Sequence, residues 1–175
     1  MTGRSSTDSS VAPRVPRIPL LVLAAALALG MTPTSAQLNP DPPKQCAQCE
    51  TWNVPLKPFR VFGNTYYVGT RELTAILVAG DDGHILLDAA LPQSAPSIDA
   101  SIRALGFRTT DIRFIVTSHT HYDHAGGIAA LQRASGAAVV ASERAAEALR
   151  AGKPNPDIRS SWSPATIFRV CATYV

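Results

Sequence analysis

Cysteine is scarce in this 175-residue chain. With three of them, a four-cysteine zinc site cannot form within one copy. Long apolar runs are missing as well, since the stretch from Leu20 to Leu29 falls short of the roughly 20 residues a spanning helix requires. A membrane-spanning protein is therefore not expected. Excess charge of one sign is also absent: the formal charge is +3, and setting aside residues 1–36 leaves 13 basic against 12 acidic residues. The basic residues are scattered without aromatic interleaving, so no nucleic-acid partner is implied. No fixed-period repeat occurs, which excludes solenoids and propellers. What remains, 46% hydrophobic and 17% charged, is ordinary globular composition.

Residues 1–36 read as a signal peptide. Arg4, Arg14 and Arg17 make a positive lead, Leu20 to Leu29 a short apolar core, and Thr34-Ser35-Ala36 supplies small residues for cleavage. A mature chain starting at Gln37, periplasmic or secreted and without membrane attachment once the signal is removed, is the expectation; an uncleaved anchor is the alternative. In an oxidising compartment Cys46-Ala47-Gln48-Cys49 is more simply a local disulfide than a redox or metal motif.

Residues 37–57 hold Pro40, Pro42, Pro43 and Pro55 and are expected to run extended across the surface. The domain proper, 58–156, opens with strands at Phe59 to Phe62 and Tyr66 to Val68 about a Gly63-Asn64 turn. A second hairpin, Ala75 to Val78 and His84 to Asp88, flanks Gly80-Asp81-Asp82-Gly83. The period then changes. Ile98, Ile102 and Leu105 predict a helix behind Ser94 that stops at Gly106. Arg113 to Thr117 predicts a strand buried on both faces. Ile128 and Leu131 mark a helix ending near Gly136, Ala138 to Ala141 a further buried strand, and Ser142 caps a helix through Leu149. Hairpins followed by alternating units argue for an α/β layer with helices on one face of a sheet.

At the end of the Phe114 strand the chain reads Ser118-His119-Thr120-His121-Tyr122-Asp123-His124-Ala125-Gly126-Gly127. Three of the four histidines fall within six residues. Zinc takes imidazole nitrogen and carboxylate oxygen at about 2.0 to 2.2 Å, so its ligands must converge from short, bent backbone. In extended chain, residues two apart point the same way, which lets His119 and His121 grip one ion. Asp123 and His124, where the chain turns into the next helix, can face a second. Gly126 and Gly127 let that helix press close. His84, at a strand start, is read as a surface or structural residue.

The string His119-x-His121-x-Asp123-His124 with Gly-Gly behind it is similar to the defining motif of the metallo-β-lactamase superfamily. The segments Gly63-Asn64-Thr65-Tyr66-Tyr67-Val68-Gly69-Thr70, Gly83-His84-Ile85-Leu86-Leu87-Asp88 and Leu105-Gly106-Phe107 also resemble it, in particular the third subclass of class B β-lactamases, from about Trp52 to Lys153. The resemblance implies the N-terminal half of an αββα sandwich. It also implies two zinc ions, His119 and His121 holding the first and Asp123 and His124 the second. His119 stands where the single-zinc second subclass has asparagine. The reaction implied is hydrolysis of a β-lactam amide by a metal-bound hydroxide, which Asp123 orients as its catalytic role.

Each zinc in that family takes one further histidine from the second half of the fold, and no histidine follows His124 here. Cys171 lies too early in the chain to replace one. Residues 157–175 lose the family's rhythm, so the expectation is a C-terminally truncated chain with an aberrant, frameshifted tail. Such a half would expose an apolar sheet face and self-associate through it, and would bind zinc weakly. Two other readings stand beside the β-lactamase: a thioester or lactone hydrolase resembling glyoxalase II, or a non-enzymatic remnant that at most binds zinc.

Overall fold

A computed structural model of the chain describes residues 38–152 and the backbone of Ala165–Phe168. The expectations for the signal peptide, for Cys171 and for the rest of the 157–175 tail lie outside the described residues.

Seven strands form one sheet in sequence order: β1 (Phe59–Phe62), β2 (Thr65–Tyr67), β3 (Ile76–Val78), β4 (His84–Leu87), β5 (Ile112–Val116), β6 (Ala138–Ser142) and β7 (Ala165–Phe168). β1 to β4 are antiparallel, β4, β5 and β6 run parallel, and β7 returns antiparallel on β6. The expected hairpins form about Gly63 and Gly83, both with positive φ. Parallel pairing demands crossovers, which are helical. α2 (Ala95–Ala104) links β4 to β5, α4 (Ile128–Ser135) links β5 to β6, and α5 (Glu143–Ala151) follows β6. Gly136 closes α4 in the left-handed conformation, and the Ser142 hydroxyl accepts from the Ala145 N–H to cap α5.

Leu77, Leu86, Ile115 and Val139 are paired neighbours across four strands, and all are buried. They share one core with Ile98 and Ile102 of α2, Leu131 of α4 and Leu149 of α5. The helices thus cover one face of the sheet. Among the described residues the other face is left partly exposed, which corrects the reading of β5 and β6 as strands buried on both sides. Phe114 is 39% exposed, and β6 alternates between buried and half-buried residues. A register shift lets His84 pair with Ile112 while Ile85 pairs with Phe114. Arg113 is the extra residue, so Ile112 faces the helices, Phe114 faces away, and the continuous apolar run conceals a bulge.

The proline-rich lead-in is also corrected. It contains a one-turn helix, α1 (Cys49–Trp52), and the disulfide joins Cys46 to Cys49 across its start as expected. The segment is anchored, not merely laid on the surface. Leu38 belongs to the core, the buried Asp41 carboxylate accepts from Arg133 at 2.8 Å, and the Gln93 amide clamps the Lys44 backbone through two hydrogen bonds of 3.0 and 2.9 Å. Prolines that cannot donate to a ladder leave the segment irregular, and side chains reaching from the domain satisfy its backbone instead. Ser94 does not cap α2; its hydroxyl donates to Asn53 Oδ1 at 2.6 Å and ties the lead-in to the helix start.

Candidate metal centre

The carboxyl ends of β4 and β5 build the site. After Leu87 the chain turns through Asp88 (φ 56°) and Ala90 (φ 52°), left-handed conformations that cost non-glycine residues about 1–3 kcal/mol each. Hydrogen bonds hold this turn against the metal loop: Asp88 N–H donates to Val116 O at 2.9 Å, Ala89 N–H to His124 O at 2.8 Å, and Gly127 N–H to Ala90 O at 3.3 Å. The Gly-Gly pair permits that approach, as expected. A Cβ on Gly127 would stand 2.4 Å from Ala89 O, and one on Gly126 would stand 2.4 Å from Pro92 Cδ.

After β5, Ser118 and His119 pass over the strand ends, and α3 (Tyr122–Ala125) carries Asp123 and His124. One ligand atom each from His119, Asp123 and His124 lies within 4.8 Å of the others, all three residues half-buried. The His119 and His124 rings are 4.0 Å apart between centroids. His121, expected beside His119 on one ion, is outside this three-residue group, although its ring centroid stands 4.9 Å from that of His119. His84 sits at the opposite end of β4. It is buried, accepts from the Gly80 N–H at 3.3 Å and packs edge-on to Phe107, so its role is structural.

Asp88 and Ser118 complete the centre, and neither was assigned a role from the sequence. Asp88 Oδ1 accepts from the Ser118 N–H at 2.7 Å, and Oδ2 accepts from the Ser118 hydroxyl at 2.7 Å. Oδ2 also lies 2.9 Å from His124 Nδ1. A carboxylate only accepts, so His124 carries its proton on Nδ1 and keeps the Nε2 lone pair. The single Ser118 hydrogen is committed to Asp88, so at 3.1 Å its oxygen accepts from His119 Nδ1–H. Both imidazoles are thereby fixed in the tautomer that presents Nε2 to a cation. Burial, aided by the neighbouring His124 and His121, pushes the His119 pKa below its ordinary value of 6.5, keeping it neutral as a metal ligand must be. Two imidazole nitrogens and a carboxylate oxygen are a zinc-type donor set. The available signal for Asp88 was an aspartate ending an apolar strand, the usual place for a site in a sheet of this kind.

A sheet carrying helices on one face and a His/Asp cradle at its strand ends defines a candidate metal-binding α/β architecture. A profile of the Metallo-beta-lactamase superfamily matches residues 68–164, more than half of the chain, and the chain belongs to that superfamily. Among solved structures it resembles Rm3 metallo-β-lactamase, at 47% identity and a TM-score of 0.63 over 74% of this chain and 50% of the other. MEM-A1, a subclass B3 metallo-β-lactamase from a soil metagenome library, is 50% identical with a TM-score of 0.60 over 68% of this chain and 46% of its own. A B3 enzyme described as the first with an active site glutamic acid is 46% identical with a TM-score of 0.65, over 75% and 51%. The chain spans about half the length of these structures. No helix among the described residues is long and apolar enough to cross a membrane.

Proposed function

We propose that this chain carries the metal-binding half of a zinc-dependent hydrolase that opens the amide bond of a β-lactam, acting in the periplasm or outside the cell. The observation that carries the reading is the convergence of His119, Asp123 and His124, with both imidazoles oriented through Asp88 and Ser118. Resemblance to subclass B3 enzymes supports the β-lactam as substrate class. Zinc bound there supplies Lewis acidity toward a carbonyl oxygen and lowers the pKa of water from about 15.7 to about 7.

The chain's own residues hold and orient. Asp88 and Ser118 fix the ring planes, so the Nε2 lone pairs need no reorganisation when a cation enters. Asp123, 3.5 Å from His124 Nε2, has a second oxygen with which to accept a hydrogen bond from the attacking water and orient it. His121, whose ring centroid stands 4.9 Å from that of His119, is the fourth residue this reading assigns to the metal. A covalent nucleophile from the protein is not required.

A second reading is zinc binding without turnover. The convergence of only three ligand atoms among the described residues favours it, because a catalytic zinc usually has three protein ligands to itself and two ions would have to share these. Purified chain with added zinc, assayed on a chromogenic cephalosporin and on a thioester, separates the readings. Turnover of the cephalosporin that Asp123→Ala abolishes supports β-lactam hydrolysis. Turnover of the thioester alone points to a glyoxalase II-like hydrolase, and zinc binding with silence on both substrates points to the non-enzymatic reading.

A further inference from the structure

The lead-in reaches the metal loop through one side chain. The backbone of Lys44 is pinned by the Gln93 amide, which accepts from the Lys44 N–H and donates to its carbonyl. Just before it Asp41 is tied to Arg133, and just after it the Cys46–Cys49 disulfide closes, with Cys49 in the core. From this fixed position the Lys44 ammonium lies over the ring of Tyr122, 5.4 Å from the centroid. That is within cation–π range, about 6 Å. Among the described residues no carboxylate forms an ion pair with Lys44, so the aromatic face is the partner the structure gives its charge. Tyr122 opens α3, between His121 and Asp123. One helical turn has no stability of its own, because nucleation costs more than a first hydrogen bond returns, so outside contacts decide where α3 sits. The turn after β4 supplies one, from Ala89 N–H to His124 O at 2.8 Å. Tyr122 supplies another: half-buried, it packs against the core and carries Lys44 on its face.

We propose that Lys44 is a positioning residue for the metal centre: its ammonium holds the Tyr122 ring, and with it the turn that presents Asp123 and His124. The inference rests on the reading of these two residues and His119 as metal ligands. A loop held in place before the metal arrives leaves less ordering cost to be met on binding. The same ammonium also repels a dication, and the two effects have opposite sign. Loss of repulsion tightens zinc; loss of positioning weakens it. At about 1 M salt the Debye length is about 3 Å, so the longer-range repulsion is screened while the contact with the ring persists.

The test is the zinc affinity of the full chain, by chelator competition in a non-coordinating salt at about 1 M. The variants are Lys44→Met, which keeps the apolar stem without the charge, Lys44→Arg, Tyr122→Leu, and Lys44→Met combined with Tyr122→Leu. Lys44→Met should weaken zinc about two- to fivefold, equivalent to a cation–π contact of about 0.5–1 kcal/mol at 1.4 kcal/mol per tenfold. Lys44→Arg, whose guanidinium also stacks on rings, should restore the parent value. Tyr122→Leu should weaken zinc at least as much, and adding Lys44→Met to it should change nothing further. In the cobalt-loaded chain the visible bands should shift with Lys44→Met and return with Lys44→Arg, a sign of altered ligand geometry that lost fold stability alone does not produce. Affinity in Lys44→Met equal to the parent's or tighter overturns the proposal. So does a Lys44→Met effect that persists in full beside Tyr122→Leu. If the parent binds zinc and Asp88→Asn weakens it while Lys44→Met does not, the role of Lys44 fails and the metal centre stands. A parent that binds no zinc overturns both.

Discussion

Asp88 Oδ2 stands 2.9 Å from Nδ1 of His124, joining the end of β4 to an imidazole delivered 36 residues later by α3. The same oxygen takes the Ser118 hydroxyl, so one carboxylate sets the tautomer of two histidines. Asp88→Asn replaces an oxygen acceptor with an amide that can donate, and either ring can then turn. Zinc affinity, measured by competition with a chromophoric chelator, should fall about 10–100-fold while circular dichroism stays unchanged. Unaltered affinity would remove Asp88 from the centre.

The glycine pair makes a steric prediction. A methyl on Gly127 meets Ala89 O at 2.4 Å and Leu91 O at 3.2 Å, both backbone atoms of the strained turn that cannot rotate aside. Gly127→Ala should cost on the order of 1–3 kcal/mol, seen as a drop of several degrees in Tm. At Gly106 a methyl meets open space, and only its φ of 86° opposes it. Gly106→Ala should cost less, about 1–2 kcal/mol. The reverse ranking in thermal melts would mean that the turn yields easily.

His119 gives the metal-free chain a pH dependence. Burial holds its folded pKa below the ordinary 6.5, so the unfolded chain takes up this proton first. The contribution to stability is fully present above 6.5 and is lost as pH falls from there toward the folded pKa. In chelator, denaturant midpoints should decline through that window, and His119→Gln should flatten the decline. A variant that tracks the parent would assign the dependence to other groups.

Asp41 tests the docking of the lead-in. Its buried carboxylate receives Arg133 at 2.8 Å across 92 residues of chain. Asp41→Ala removes charge-assisted hydrogen bonds and should cost about 1.5–3 kcal/mol. Limited proteolysis should then cut within residues 38–58 earlier than in the parent. Resistance equal to the parent's would show that Leu38 and the Gln93 clamp suffice.

Local signals determined much of this protein by themselves. Gly63, Gly83, Gly106 and Gly136 each sit at the turn or helix end that their lack of a Cβ predicts, because φ above zero is decided within a residue or two. Ser142 caps α5 for the same short-range reason. The convergence of His119, Asp123 and His124 was legible because six residues of one loop suffice to gather them. Tertiary structure alone decided the rest. The Asp88 contact to His124 and the Asp41 contact to Arg133 join positions far apart in sequence, and no periodicity encodes which distant strand will lie alongside. The bulge at Arg113 depends on pairing with β4, so an apolar run expected to be buried on both sides instead turns Phe114 outward. Residue order sets which groups are available at short range; only packing sets which of them meet.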